Sequence, residues 1–173
     1  HMFQKYMEKK GFAFVTPTVD MAKDMGAFGL YDLALALANS GMGKEVVSND
    51  FVYTSGENFL VVTGPNQGGK TTFARSVGQL VYFTKMGLDV NAVTANVHYF
   101  TDLLTHFSVE ESMESGQGKL MEELNRLSPN MKQNCRNAFV IINELFTTAA
   151  HYDGCIMGAR VLEHFTGSEC KGV

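Results

Sequence analysis

Residues 64–71 read Gly64-Pro65-Asn66-Gln67-Gly68-Gly69-Lys70-Thr71, which fits the pattern G-x-x-x-x-G-K-[ST]. The glycines allow the backbone to curl tightly, so that several N–H groups point at one anion. A helix that begins at Lys70 presents its positive end to the same anion, and the Lys70 ammonium adds a further positive charge. The Thr71 hydroxyl is placed to bind Mg²⁺. The stretch therefore predicts a nucleotide phosphate-binding loop, and a plain glycine-rich turn is the weaker reading.

The rest of the chain predicts strands that alternate with helices. Residues 31–38 combine a helix-favouring composition with strict Leu–Ala alternation, so helix and strand both stay open there. Gly87 and Pro129 are expected to end the helices that precede them. Predicted strands cover residues 11–19, 44–53 (a pair with a turn at 48–50), 59–63, 97–104 and 138–143, and predicted helices cover residues 70–86, 115–127 and 154–165. This order predicts an α/β layered fold with a mostly parallel central sheet flanked by helices, preceded by a β-rich lead-in.

Composition narrows the class of protein. The 173 residues suffice for one domain with a real core, and a net charge of −4 argues against a basic nucleic-acid-binding surface on this chain. No apolar run is long enough to cross a bilayer, so we expect no membrane partner. The three cysteines are far apart, which argues against a disulfide framework or a zinc site and favours a reducing cytoplasm. Residues 1–2 resemble a cloning scar.

A buried strand that ends in polar residues supplies a second candidate group. Residues 139–142 are apolar and lead directly into Asn143 and Glu144. Phosphoryl transfer needs a carboxylate near the metal and a group that activates water, and such groups usually follow a strand of the sheet. Asn143 stands where an aspartate is typical, so we expect it to contact metal-bound water without adding charge. Glu144 is the candidate general base, and a solvated strand-end acid is the alternative.

Ser115-Gly116-Gln117-Gly118 precedes a predicted helix and is a third candidate element. Alone it is a weak signal, because Ser115 could simply cap that helix. A Ser-Gly helix start can also donate N–H groups to a phosphate, as ABC-type ATPases do across a subunit boundary. The remaining polar residues are expected to have ordinary roles: Arg75 and Gln79 as surface residues of the loop helix, and the histidines as residues outside any metal site.

Several motifs together resemble the MutS family of DNA mismatch-repair ATPases. The strongest match is residues 63–72, where Asn66 and the double glycine go beyond a generic phosphate loop. Ser115-Gly116, followed by Met121 and Glu123, is similar to that family's signature loop and helix. Asn143-Glu144, followed by Tyr152-Asp153-Gly154, resembles its acidic strand and later Tyr-Asp-Gly. Residues 46–50 resemble the segment near adenine. The departures, chiefly Asn143 and Gly118-Lys119, suggest a divergent branch.

The resemblance implies ATP or ADP and Mg²⁺ as ligands, and it implies roles for individual residues. Glu144 and Lys70 would be catalytic, and Thr71 and Asn143 would serve the metal. The nucleotide would be bound by Gly64, Pro65, Asn66, Gln67, Gly68, Gly69, Lys70, Thr71, Thr72, Val47, Ser115 and Gly116. The ATPase domain would be partial, covering residues 3–173, with a lead-in at 3–50 and the loop-containing core at 51–173, truncated at the C-terminus.

The resemblance also implies a dimer with composite nucleotide sites, in which Ser115 and Gly116 approach the nucleotide of the other subunit. DNA would be contacted through regions mostly absent from this chain. The leading hypothesis is Mg²⁺-dependent ATP hydrolysis that drives a conformational cycle on mismatched or structured DNA. The alternatives are a nucleotide-gated assembly module with little hydrolysis and a MutS-type ATPase in recombination or another non-mismatch role.

Overall fold

A computed structural model describes residues 2–20, 24–54, 56–107, 118–132, 135–168 and 170–173. The chain divides into two compact units, His1–Thr101 and Asp102–Val173. The described strands form two separate sheets, one of four strands and one of three. The α/β class is confirmed, and the expectation of a parallel sheet holds in part: the three-stranded sheet is parallel, whereas the four-stranded sheet is mixed.

The first unit is built around the four-stranded sheet. Its described elements are α1 (Met2–Glu8), β1 (Thr18–Asp20), β2 (Met25–Leu30), α2 (Leu33–Asn39), β3 (Asn49–Tyr53), α3 (Lys70–Lys85) and β4 (Thr94–His98). The strand order is β1-β4-β2-β3. β1 runs parallel to β4, and β2 is antiparallel to both β4 and β3. α2, the helix that precedes β3, packs against α3.

The region before the phosphate loop departs from the sequence-based prediction. Residues 60–63 lie outside any strand, although their apolar run predicted one. Val61 is 74% exposed, so this run lacks the burial on both faces that holds a central strand. The predicted strand at 11–19 is reduced to β1 and an isolated bridge from Val15 to Val90. Of the predicted pair at 44–53, only β3 forms.

The ambiguous segment at residues 31–38 is a helix, α2. Asp32 caps it, because its side chain accepts hydrogen bonds from the backbone N–H groups of Ala34 and Leu35. The predicted loop helix is confirmed as α3. Gly87 follows its end with a φ of 68°, the left-handed conformation that favours glycine after a helix.

The second unit contains the three-stranded parallel sheet. Its described elements are β5 (Asp102–Phe107), α4 (Lys119–Lys132), β6 (Ala138–Asn143), α5 (His151–Thr166) and β7 (Lys171–Gly172). β6 is the central strand, and five of its six residues are buried, which confirms the prediction of a strand covered on both faces. α4 packs against β5 and α5.

Two predicted boundaries in this part of the chain are wrong. The predicted strand at 97–104 is two strands, β4 and β5, which belong to different sheets. Pro129 lies inside α4 and does not end it. Proline removes one backbone donor, and the helix extends only to Lys132, so the loss falls in the last turn. No helix among the described residues is long and apolar enough to cross a membrane.

Candidate functional site

The phosphate loop, residues 64–71, is exposed up to Gly69 and passes directly into α3. The N–H of Gly68 donates to the carbonyl of Pro65 at 3.1 Å, which closes a turn. A Cβ on Gly68 would lie 2.9 Å from that carbonyl oxygen, so only glycine fits without a shift. Gly69 has a φ of 87°, which strains any other residue, and Gln67 has a φ of 63°. The double glycine therefore meets a steric and a conformational requirement of this turn.

Lys70 is the first residue of α3, and its side chain lies across the loop. Its Nζ donates hydrogen bonds to the carbonyls of Gly64 at 3.0 Å and Pro65 at 2.9 Å. Thr71 and Thr72 follow in the same first turn. The Lys70 ammonium and the positive end of the helix dipole together make this end of α3 electropositive, which suits an anionic ligand.

A cleft of about 880 Å³ lies beside the loop. Gln67, Gly68, Gly69, Lys70 and Thr72 line it together with Val47, residues 49–52 and residues 60–63. Phe73 and Phe51, also lining residues, pack edge to face with ring centroids 6.1 Å apart. The structure thus brings Val47, the expected adenine-side residue, to the same cleft as the loop. Its volume matches that of small-molecule sites.

A buried polar network joins α3 to α2. The Asp32 side chain is fully buried, and its Oδ2 accepts from Nε of Arg75 at 2.8 Å. Its Oδ1 accepts from Nε2 of Gln79 at 3.2 Å, and Oε1 of Gln79 accepts from the N–H of Leu33 at 2.8 Å. Arg75 lies one helical turn after Thr71, so this network fixes the loop helix just behind the loop. Arg75 lies at the surface, as the sequence predicted, but it and the half-buried Gln79 also hydrogen-bond the buried Asp32, which the sequence did not predict.

We expect Asp32→Ala to lower the free energy of unfolding by about 2–4 kcal/mol, because the change removes a helix cap and leaves buried donors unpaired. Arg75 is 48% exposed, so its lost ion pair adds little. Urea unfolding followed by far-UV circular dichroism measures the change. Asp24→Ala, at an exposed position of the same unit, is the matched control and should stay within about 0.5 kcal/mol. An equal effect of the two substitutions would contradict the network.

In the second unit, the polar end of β6 places Asn143 and Glu144 differently. Asn143 is buried, and its backbone pairs in register with Phe107. Glu144 is exposed and has a φ of 59°, so the chain turns out of the strand at this residue. Phe146 has a φ of 54° and is also left-handed. Two non-glycine residues with positive φ within three positions indicate a strained backbone, which the surrounding structure must hold in place.

A buried His–Glu pair supports this turn and was not predicted from the sequence. Nε2 of His106 lies 3.2 Å from Oε1 of Glu123, and the same oxygen accepts from the N–H of Phe146 at 2.8 Å. The apolar periodicity of residues 115–127 predicts that Glu123 faces outward with Glu122 and Arg126, and this prediction is wrong because Glu123 is buried. Among the described residues, no group of three or more His, Cys, Asp or Glu is placed to hold a metal.

The predicted site residues fall into two described groups. The loop residues 64–72 and Val47 belong to the first unit, and Asn143 and Glu144 belong to the second. Ser115 and Gly116 lie outside the described residues. The resolved pKa shifts occur elsewhere: burial raises the pKa of Tyr31 and of Tyr53, and it raises the pKa of the Cys170 thiol to about 11. These groups therefore stay protonated at neutral pH and are not among the candidate catalytic residues.

Comparison with known proteins identifies the family. Residues 60–173 match the model of MutS domain V. The chain is 30% identical over 157 residues to DNA mismatch repair protein MSH6 of Arabidopsis thaliana, covering 90% of this chain and 12% of that protein. It is 28% identical over 134 residues to DNA mismatch repair protein MutS of Clostridium beijerinckii, covering 76% of this chain and 14% of that protein.

A third relative, DNA mismatch repair protein MutS of Leuconostoc citreum, is 29% identical over 119 residues, covering 69% of this chain and 14% of that protein. The chain therefore spans about one-seventh of the length of these curated relatives. Because the family model covers well over half of the chain, the chain belongs to the MutS family, and residues 60–173 are its domain V.

Proposed function

We propose that this chain binds ATP and Mg²⁺ and contributes the catalytic residues of a MutS-type ATPase. The observation that carries the proposal is the loop geometry: a double glycine required by its turn, with Lys70 across it at the electropositive start of α3, beside a cleft that Val47 also lines. Such a loop suits phosphate groups, and the apolar wall of the cleft suits a nucleobase.

In this proposal each residue acts through its own chemistry. Lys70 holds the phosphates together with the backbone N–H groups of Gly64, Asn66, Gly68 and Gly69, and Thr72 follows them in the first turn of α3. The Thr71 hydroxyl and Asn143 serve the metal, which would neutralise charge on the transferred phosphoryl group. Glu144 orients or deprotonates the attacking water. Val47 contacts the base, and Ser115 and Gly116 act on the nucleotide of a second subunit.

The wider biological role is also a proposal. Relatives that carry this domain are named as DNA mismatch repair proteins, and this chain matches about one-seventh of their length. We propose that residues 3–173 work as an ATPase domain of a cytoplasmic MutS-type protein. That protein would form dimers, contact DNA through other regions, and couple ATP turnover to a conformational cycle.

We expect the full-length protein to hydrolyse ATP in the presence of Mg²⁺, with a steady-state rate that depends on DNA. The rate is measured with no DNA, with matched duplex, with mismatched duplex and with branched DNA. A larger change with mismatched than with matched duplex supports mismatch sensing. A response to branched DNA alone moves the same ATPase to recombination or another non-mismatch role.

A second candidate is a nucleotide-gated assembly module with little hydrolysis, and Asn143 is the residue that favours it. An amide contributes no charge attraction for Mg²⁺ where a carboxylate would, so metal-assisted turnover would be slow. A single-turnover assay on the full-length protein separates the candidates. Complete conversion of bound ATP supports the ATPase, whereas stable ATP binding without product supports the assembly module.

A further inference from the structure

One buried carboxylate oxygen connects three elements of the second unit. Oε1 of Glu123, on α4, accepts from the N–H of Phe146, in the loop after β6, at 2.8 Å. The same oxygen lies 3.2 Å from Nε2 of His106, on β5. The side chain of His106 is only 3% exposed and that of Glu123 only 10%. Burying a carboxylate this fully is costly unless specific partners hydrogen-bond it, so the contacts of Glu123 hold these three elements together.

Phe146 is also held on its carbonyl side. Its carbonyl accepts from the N–H of Ala149 at 3.0 Å. A Cβ added to Gly154, in the first turn of α5, would lie 3.3 Å from the same oxygen. The helix backbone therefore approaches Phe146 more closely than most side chains would allow. Both peptide groups of Phe146 are thus fixed, one by α4 and the other by the turn that leads into α5.

This anchor lies two residues from Glu144. Glu144 and Phe146 both have left-handed φ values, 59° and 54°, and neither is a glycine. Residues other than glycine hold this conformation only where their surroundings impose it. With Asn143 fixed in β6 and Phe146 fixed by Glu123, only Glu144 and Leu145 span the gap. The direction of the Glu144 side chain therefore depends on the hydrogen bond from Phe146 to Glu123.

We propose that Glu123 is a positioning residue for Glu144, and that His106 orients Glu123. The buried carboxylate fixes the turn after β6, and the turn aims the Glu144 carboxylate at the attacking water. The catalytic part of this inference rests on the proposed function. Glu123 belongs to α4, so a shift of α4 would change the direction of the Glu144 side chain. In this way α4 controls hydrolysis through Glu123, a residue that does not itself contact the nucleotide.

The test compares substitutions of Glu123 in the full-length protein. Glu123→Leu removes the acceptor, and Glu123→Asp keeps the charge but withdraws it by one methylene. We expect both to lower kcat for ATP hydrolysis about 10- to 100-fold while the Kd for ATP changes less than about threefold, because misplacing a catalytic group affects the reaction more than binding. Glu123→Gln keeps an acceptor oxygen at the same reach and should retain kcat within about threefold.

A structural readout accompanies the kinetics. Hydrogen exchange at the backbone amide of Phe146, followed by NMR or by mass spectrometry of peptides covering residues 144–149, should be slow in the unaltered protein and in Glu123→Gln. It should accelerate at least about tenfold in Glu123→Leu and Glu123→Asp, because the amide loses its partner. Glu163→Leu, at an exposed position of α5 in the same unit, is the matched control and should change neither exchange nor kcat.

The outcomes separate this inference from the proposed function. Unchanged Phe146 exchange in both Glu123→Leu and Glu123→Asp overturns the anchor, and accelerated exchange with unchanged kcat overturns its role in positioning Glu144. If Glu123→Leu does not fold, Glu123→Asp against Glu123→Gln decides the same question. Normal turnover by Glu144→Gln would instead refute the role of Glu144, and the anchor would then stand or fall on the exchange rate alone.

Discussion

Lys70→Ala is expected to abolish measurable binding of ATP. The Lys70 ammonium already reaches the carbonyls of Gly64 and Pro65, so it lies at the loop where phosphate groups would bind. Each charge-assisted hydrogen bond contributes about 1.5–3 kcal/mol, and losing two of them weakens binding by about two orders of magnitude or more. Titration of a fluorescent ATP analogue, with far-UV circular dichroism as a check on folding, measures the effect.

Lys85→Ala is the matched control for this experiment. Lys85 is the last residue of α3 and also donates to a backbone carbonyl, that of Thr101. It is separated from Lys70 by the length of the helix, about 22 Å at 1.5 Å per residue. We expect its removal to leave affinity within about twofold, since its charge is screened over that distance. Equal affinity of Lys70→Ala and the unaltered protein would refute the assignment of the loop.

The parts of the site that the sequence predicted well depend on local chemistry. The loop needs a glycine at position 69 for its φ and at position 68 for its close approach to Pro65, and both requirements are met by adjacent residues. α3 begins where the loop motif ends. β6 is a near-continuous apolar run because both of its faces are buried. Such features are visible in a few consecutive residues.

The parts that the sequence missed depend on pairing between distant residues. The apolar run at 60–63 has the composition of a strand, but composition does not specify a partner, and the run lies outside both sheets. Asp32 reads as a turn residue or helix cap, and nothing nearby reveals that Arg75 and Gln79 will meet it. The pair of His106 and Glu123 likewise joins residues 17 positions apart.

The second unit offers a physical reason for the asparagine at position 143, where an aspartate is typical. Asn143 is buried at the end of β6, whereas Glu144 turns outward with an exposed side chain. An uncharged amide avoids the cost of burying a carboxylate at this position. The carboxylate of this pair is therefore placed where water can reach it, which suits a base better than a metal ligand.

Glu144→Gln is accordingly expected to preserve ATP binding and to stop turnover. The substitution keeps the size and exposure of the side chain but removes the group that accepts a proton from water. General-base catalysis contributes about 10²- to 10⁴-fold, so we expect kcat in the full-length protein to fall by about that factor. The Kd for ATP should change less than about threefold, because the proposed binding groups belong to the phosphate loop. Single-turnover hydrolysis together with equilibrium binding measures both quantities.

Glu163→Gln distinguishes a specific effect of Glu144 from a general loss of negative charge. Glu163 is exposed on α5, where it pairs with Arg160 at 3.2 Å, and its removal costs little because exposed pairs contribute little to stability. This control should hydrolyse ATP at the unaltered rate. If Glu144→Gln also kept that rate, the water-activating group would have to be sought elsewhere in the chain. If Glu144→Gln instead bound ATP without hydrolysing it, Glu144 would act at the chemical step. A single exchange of oxygen for nitrogen would then have separated ATP binding from ATP hydrolysis.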